Sequence, residues 1–152
     1  MKSLTRKQLI EWGVTNVDPE TGDVFVNDKY KKPVRLVGKH KYGADRVYLG
    51  INFINYDTKV DIIQKYRKKD GTIREYNSWS YKSSIIPVAR VVLAWVDGSI
   101  DSNMDADHID GNPMNNSYSN LQAITRKENL AKRMSSQQEI ANRWHEIKGD
   151  KR

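Results

Sequence analysis

The spacing of apolar and polar positions divides the chain near residue 83. From Val14 to Tyr81 the repeat is close to two. Val24–Val26 follows the turn segment DPETGD, and Val34–Val37 follows a Pro-containing basic stretch. Arg46–Ile54 and Arg74–Tyr81 mix β-branched and aromatic residues with polar ones, and Lys69-Asp70-Gly71-Thr72 is a hairpin-turn signal. Together these predict a meander of short antiparallel strands. Ahead of it, residues 3–12 suit one or two helical turns, with Leu4, Leu9 and Trp12 as apolar anchors.

At Ser83–Ser84 the period changes. Pro87 suits a first helical turn, and Val88, Val91, Val92 and Trp95 follow at i, i+3, i+4 and i+7. Asp97-Gly98 should end that helix. A short apolar run at Met104–Ile109, an Asn-rich loop and a second run at Leu121–Ile124 come next. Thr125 and Glu128 have capping-box spacing, so a helix should start at Thr125. Ser136 and Glu139 repeat the device, and Ile140, Trp144 and Ile147 give a last helix its apolar stripe; His145 beside that stripe is assigned no role. The chain therefore reads as α+β: short antiparallel β-strands, then a helix, a β–β–α segment and a C-terminal helix. The expected boundaries are 1–82, 83–134 and 135–152.

Composition narrows the chemistry. At 152 residues, 38% hydrophobic and 30% charged, the chain has material for one ordinary domain with a wet surface. It has no cysteine, which excludes disulfide scaffolds, thiol nucleophiles, Fe–S clusters and every Cys-containing zinc site. No apolar run approaches the roughly 18 residues of a membrane span, and Met1–Ile10 lacks a signal-peptide apolar core. A soluble cytoplasmic protein with no membrane partner is expected.

The charge matters more for its distribution than for its sum. Lys and Arg total 26 against 19 Asp and Glu, a net +7. Residues 1–82 carry +7, residues 83–120 carry −4 with Asp as their only acid, and residues 121–152 carry +4. A purely electrostatic DNA binder has no use for an acidic centre, which repels phosphate. A cation site that works on phosphate has one, because the cation reverses the local sign. Asp97, Asp101 and Asp105 read as turn residues, since Asp is common there.

The candidate chemistry lies in Asp105–Arg133, DADHIDGNPMNNSYSNLQAITRKENLAKR. Asn112, Asn115, Asn116 and Asn120 crowd its loop. Asn bonds nearby backbone and tolerates left-handed conformations, so the first three read as loop architecture and Asp110 as a turn residue. With its D-H-I-D-G-N, N-N, N-L and T-x-x-E-N elements in order, the segment resembles the HNH nucleases, specifically the phage and homing-endonuclease branch. The resemblance is specific from about Ile86 to Arg133, and it implies a ββα-metal site. Carried over, it makes Asp107 a metal ligand, His108 the general base, Asn120 the asparagine that braces the loop, and Asn129 the second metal ligand. The resulting H-N-N set favours an oxygen-liganded Mg²⁺ or Mn²⁺ over zinc. His activates water near neutral pH, and a divalent cation stabilises charge on the phosphate and the leaving oxygen.

Adjacent strand residues face opposite sides, so Asp107 and His108 can share a site only where the strand twists into the turn. The expected partner is double-stranded DNA. Arg126, Lys127, Lys132 and Arg133 on or beside the helix are candidate phosphate contacts. Lys31, Lys32, Arg35, Lys39 and Lys41, interleaved with Tyr30, His40 and Tyr42, form a candidate backbone track. No obligate protein partner is evident, and a monomer or homodimer is expected. The competing reading is a catalytically silent, sequence-specific DNA-binding protein on the same scaffold.

Overall fold

The computed structural model describes residues 2–38 and 46–135. It divides into two compact units, one formed by Met1–Lys31 with Val88–Arg152 and the other by Lys32–Pro87. The first 31 residues thus share a unit with the Asn-rich loop.

In the first unit, Thr5 starts a short helix by a reciprocal cap: its hydroxyl accepts from the Gln8 N–H while the Gln8 side chain accepts from the Thr5 N–H. That helix is α1 (Arg6–Glu11), and it follows β1 (Leu4–Thr5). Leu4 and Leu9 are buried as expected, but Trp12 stands 42% exposed at the helix end, so only two of the three anchors enter the core. Then β2 (Val14–Val17), β3 (Val24–Val26) and β4 (Lys29–Tyr30) form a three-stranded antiparallel sheet in that order.

After the second unit the chain returns as α2 (Val88–Asp97), and Gly98, at φ +90°, stops it by adopting a conformation that costs glycine little. Seven consecutive residues, Val88–Ala94, are buried, so α2 is a core helix rather than a one-sided stripe. Each fully buried Val or Leu contributes about 1.5–3 kcal/mol, which makes α2 the unit's anchor. Arg90 is buried among them at 2% exposure. Its guanidinium donates to the carbonyls of Met104 (2.7 Å), Lys2 (3.2 Å) and Asp101 (3.3 Å), tying three segments together. Burial depresses its pKa while nearby Asp105 opposes the shift.

Three further strands complete the unit's described part. β8 (Ser99–Ile100) pairs with β1, and β9 (Met104–His108) pairs antiparallel with β10 (Leu121–Thr125). Residues 126–135 are helical and are called α3 below. The expected helix over 135–152, with its cap at Ser136 and its stripe, falls outside the described residues apart from Ser135.

The second unit is one antiparallel sheet in the order β5 (Val34–Gly38), β6 (Arg46–Arg67), β7 (Ile73–Pro87). Here the expectation of short strands fails. β6 runs 22 residues, because Asn55–Thr58 forms an irregularity within the strand rather than ending it. Asn55 accepts from the Asp57 N–H at 3.0 Å, the Thr58 hydroxyl donates to the Asn55 carbonyl at 3.1 Å, and pairing resumes at Lys59↔Tyr81. The partner strand likewise continues through Ser83–Ser84 to Pro87, so the helix begins one residue after the proline. The hairpin turn stands where the sequence signals it: Lys68 and Thr72 are bonded across it at 2.9 Å, and Asp70 accepts from the Thr72 N–H and hydroxyl. β5 pairs only with Arg46–Gly50, so beyond it β6 and β7 form a two-stranded ribbon. None of residues 54–86 is buried. Among the described residues, no helix is long and apolar enough to cross a membrane.

Candidate functional site

Asparagine side chains build the loop between β9 and β10. The Ile109 N–H donates to the Asn120 carbonyl at 2.8 Å, which closes the loop's base. Asp110 then acts as its hub. It accepts from the Asn112 N–H (2.8 Å) and from the side-chain amides of Asn115 (2.9 Å) and Asn120 (2.9 Å). Asn120 also accepts from the Asp110 N–H and donates to the Asn115 carbonyl at 2.9 Å. The Asn115 side chain foremost, then the Asn112 N–H, the Asn120 amide and the charge of His108, holds the Asp110 carboxyl below the usual carboxylate range. The N-terminal segment supports the loop from outside, with the Tyr118 N–H donating to the Pro19 carbonyl at 2.7 Å.

The strands beside the loop carry two aspartates two residues apart, Asp105 and Asp107, so both point to one face of β9. α3 covers that face. Its start is fixed by the expected box: Thr125 caps the Glu128 N–H at 3.2 Å, and the Glu128 carboxylate accepts from the Thr125 N–H (2.8 Å) and hydroxyl (2.9 Å). Those donors lower the Glu128 pKa. One turn later the Asn129 amide donates to Asp105 Oδ2 at 3.0 Å. The Lys132 ammonium lies 2.7 Å from Asp107 Oδ2 and 2.9 Å from the His108 carbonyl, and Gln122, opposite Asp107 in the register, donates to the same carboxylate at 2.8 Å.

His108 is engaged by the loop instead. Its Nε2 lies 2.9 Å from Oδ1 of Asn116, a side chain only 4% exposed. The alternation along β9 thus gives Asp107 and His108 partners on different elements.

The structure brings Asp107, His108, Asn120 and Asn129 into one β–β–α segment. Lys132 is drawn inward onto Asp107 rather than outward, and Arg126 approaches Asp105 at 3.8 Å. Lys127 is exposed and Arg133 half-buried on the same helix, while Lys31 follows β4 at the end of the N-terminal stretch of one unit and Lys32 and Arg35 belong to the other. Lys39 and Lys41 lie outside the described residues.

Two of the expected turn aspartates have other work. Asp97 is the last residue of α2 and accepts from the Tyr118 hydroxyl at 2.6 Å, which raises the Tyr118 pKa. Asp105 is a strand residue that orients Asn129. The sequence does carry a signal for it, the i, i+2 spacing to Asp107. No comparable signal singles out Asn116, whose partner is eight residues away across a loop.

The donor set has a definite chemistry. Among the described residues, no group of three or more His, Cys, Asp or Glu is placed to hold a metal ion. What the site offers is hard oxygen: the carboxylates of Asp107 and Asp105 and the amide oxygen of Asn129, whose nitrogen is already given to Asp105. Oxygens of this kind are the donors a hard divalent cation takes. No curated protein and no solved structure matches the chain. Residues 88–131, from the first residue of α2 to the second turn of α3, do match the family model of the HNH endonuclease, so this part of the chain is similar to a nuclease that binds and cleaves DNA.

Proposed function

We propose that the protein is a DNA endonuclease of the phage and homing-endonuclease type, dependent on Mg²⁺ or Mn²⁺. The observation that supports this reading is the capped helix over the β9–β10 pair, whose Asn129 amide bonds the strand carboxylate of Asp105, with Asp107 and His108 following on the same strand, all within the matched segment. Asp107 and Asn129 are the residues to hold the cation, with Asp105 fixing the Asn129 amide. The cation, when bound, would supply stabilisation of charge on the phosphate and the leaving 3′-oxygen. His108 takes a proton from the attacking water, and a neutral imidazole is suited to that near pH 7. Asn120 and Asp110 keep the loop in one shape while this happens.

One chain carries one such site, so a monomer nicks one strand and a double-strand break needs a dimer or two successive nicks. The assay is supercoiled plasmid with Mg²⁺ or Mn²⁺, comparing wild type with His108→Ala. Loss of a general base should slow nicking by about 10²–10⁴-fold. Equal rates would remove His108 from the mechanism.

One observation favours a second reading. The Lys132 ammonium already neutralises Asp107, as a cation would. A protein that kept this pair permanently would bind DNA without cutting it. Tight binding to one site without divalent ions, and no cleavage of that site by wild type under any of them, would establish this alternative.

A further inference from the structure

We infer that Asn116 is a positioning residue, which holds the His108 imidazole in the tautomer protonated at Nε2 and so leaves Nδ1 as its basic atom. The inference rests on the nuclease reading for its catalytic meaning, but its geometry stands apart from it.

Neutral imidazole has one N–H and one lone-pair nitrogen, and which is which is set by the partner of either. The partner of Nε2 is Oδ1 of Asn116 at 2.9 Å. The amide's other end favours this orientation, because Nδ2 faces the Pro113 carbonyl at 3.5 Å. Turning the amide over would set two carbonyl oxygens against each other. Oδ1 can only accept, so Nε2 must donate and Nδ1 carries the lone pair.

Asn116 is also held as a buried positioning group should be. It is 4% exposed. Gly22, in the turn between β2 and β3, comes so close that a Cβ there would lie 2.7 Å from both the Cβ and the carbonyl oxygen of Asn116. The next bond along, Tyr118 N–H to the Pro19 carbonyl, locks the same turn to the same loop. A surface asparagine that merely shapes a loop, as Asn112 does for Met114, has no such backing.

The decisive measurement is a long-range ¹H–¹⁵N correlation spectrum of metal-free protein with labelled histidine, near pH 9, where an ordinary imidazole is neutral. His40 and His145 give internal reference signals. Wild type should show His108 wholly in the Nε2–H form. Asn116→Leu, similar in shape but without an acceptor, should show both tautomers; Asn116→Asp, which keeps the oxygen, should retain Nε2–H. In the plasmid assay Asn116→Leu should lower kcat at least about tenfold with KM nearly unchanged, since the base and not the DNA contact is disturbed. An Nδ1–H signal in wild type, or an Asn116→Leu spectrum identical to wild type, overturns the inference. Inactive wild type with the expected spectra would instead overturn the nuclease reading and leave the Asn116 assignment standing.

Discussion

The Lys132–Asp107 ion pair engages the carboxylate that the nuclease reading gives to a cation. The ammonium sits 2.7 Å from a carboxylate that is 11% exposed, and it also donates to the carbonyls of His108 and Ile109. A carboxylate this enclosed, left alone, loses much of its hydration and costs free energy. If Asp107 also takes a divalent cation, the two positive charges compete for the same oxygens, separated by a few ångströms. Replacing Lys132 by Met should therefore act in opposite directions. Metal-free protein should lose about 1 kcal/mol of stability, because a half-buried carboxylate keeps, among the described residues, only the Gln122 amide as its side-chain donor. Mn²⁺ binding, followed by electron paramagnetic resonance, should tighten several-fold, because a competitor is gone. Weaker Mn²⁺ binding in Lys132→Met would mean that the lysine assists the ion rather than standing in for it.

At the scale of elements, the site depends on where α3 begins, since its first two turns carry Asn129 and Lys132. Thr125→Ala removes the hydroxyl that caps the Glu128 N–H and helps hold the Glu128 carboxylate. It should cost about 1 kcal/mol in thermal or urea unfolding at neutral pH. The pH dependence has a definite sign. The Glu128 pKa is depressed in the fold, so its contribution is complete above the ordinary carboxylate value of about 4.3 and fades as pH falls below it. The gap between wild type and Thr125→Ala should narrow accordingly toward pH 3. A gap that is constant with pH would leave only the hydroxyl-to-N–H bond at work. This start was legible in the sequence because capping is local chemistry, readable from residues three apart. So were the helix stop at Gly98 and the turn at Asp70-Gly71. The length of β6 was not, because Asn55–Thr58 looks like a strand end until β7 supplies partners on both sides of it. Asn116 was hidden for the same reason: its role is set by a histidine across a loop and by a glycine 94 positions earlier. Long-range pairing decides such residues, and periodicity carries no trace of it.

For the whole molecule, the division into units relocates the charge. The unit Lys32–Pro87 holds 12 Lys and Arg against 5 Asp and Glu, a net +7, whereas the other unit holds 14 of each and is neutral. All of the chain's excess positive charge therefore lies outside the unit with the candidate site. Within the charged unit, the β6–β7 ribbon is exposed on both faces and carries Arg67, Lys68, Lys69 and Arg74 around its turn. Lys59 lies over the Trp79 ring at 4.6 Å, beside the edge-packed Tyr81 and Tyr56. A two-stranded ribbon is narrow enough for the DNA major groove, and a basic tip suits phosphate. On the nuclease reading, duplex DNA is the partner to test on this ribbon. Replacing Arg67, Lys68, Lys69 and Arg74 by Gln should leave the neutral unit's fold and its site intact, since none of the four is buried. Every phosphate that is no longer neutralised should lower the slope of log affinity against log salt by about 0.9. The quadruple variant should bind duplex at least about tenfold more weakly at low salt, with a slope smaller by about 2 or more. If the four residues touch only phosphates, the weakening should be the same for every sequence tested. Weakening concentrated on one sequence would mean that the tip reads bases. An unchanged salt slope would remove the ribbon from the DNA-binding surface.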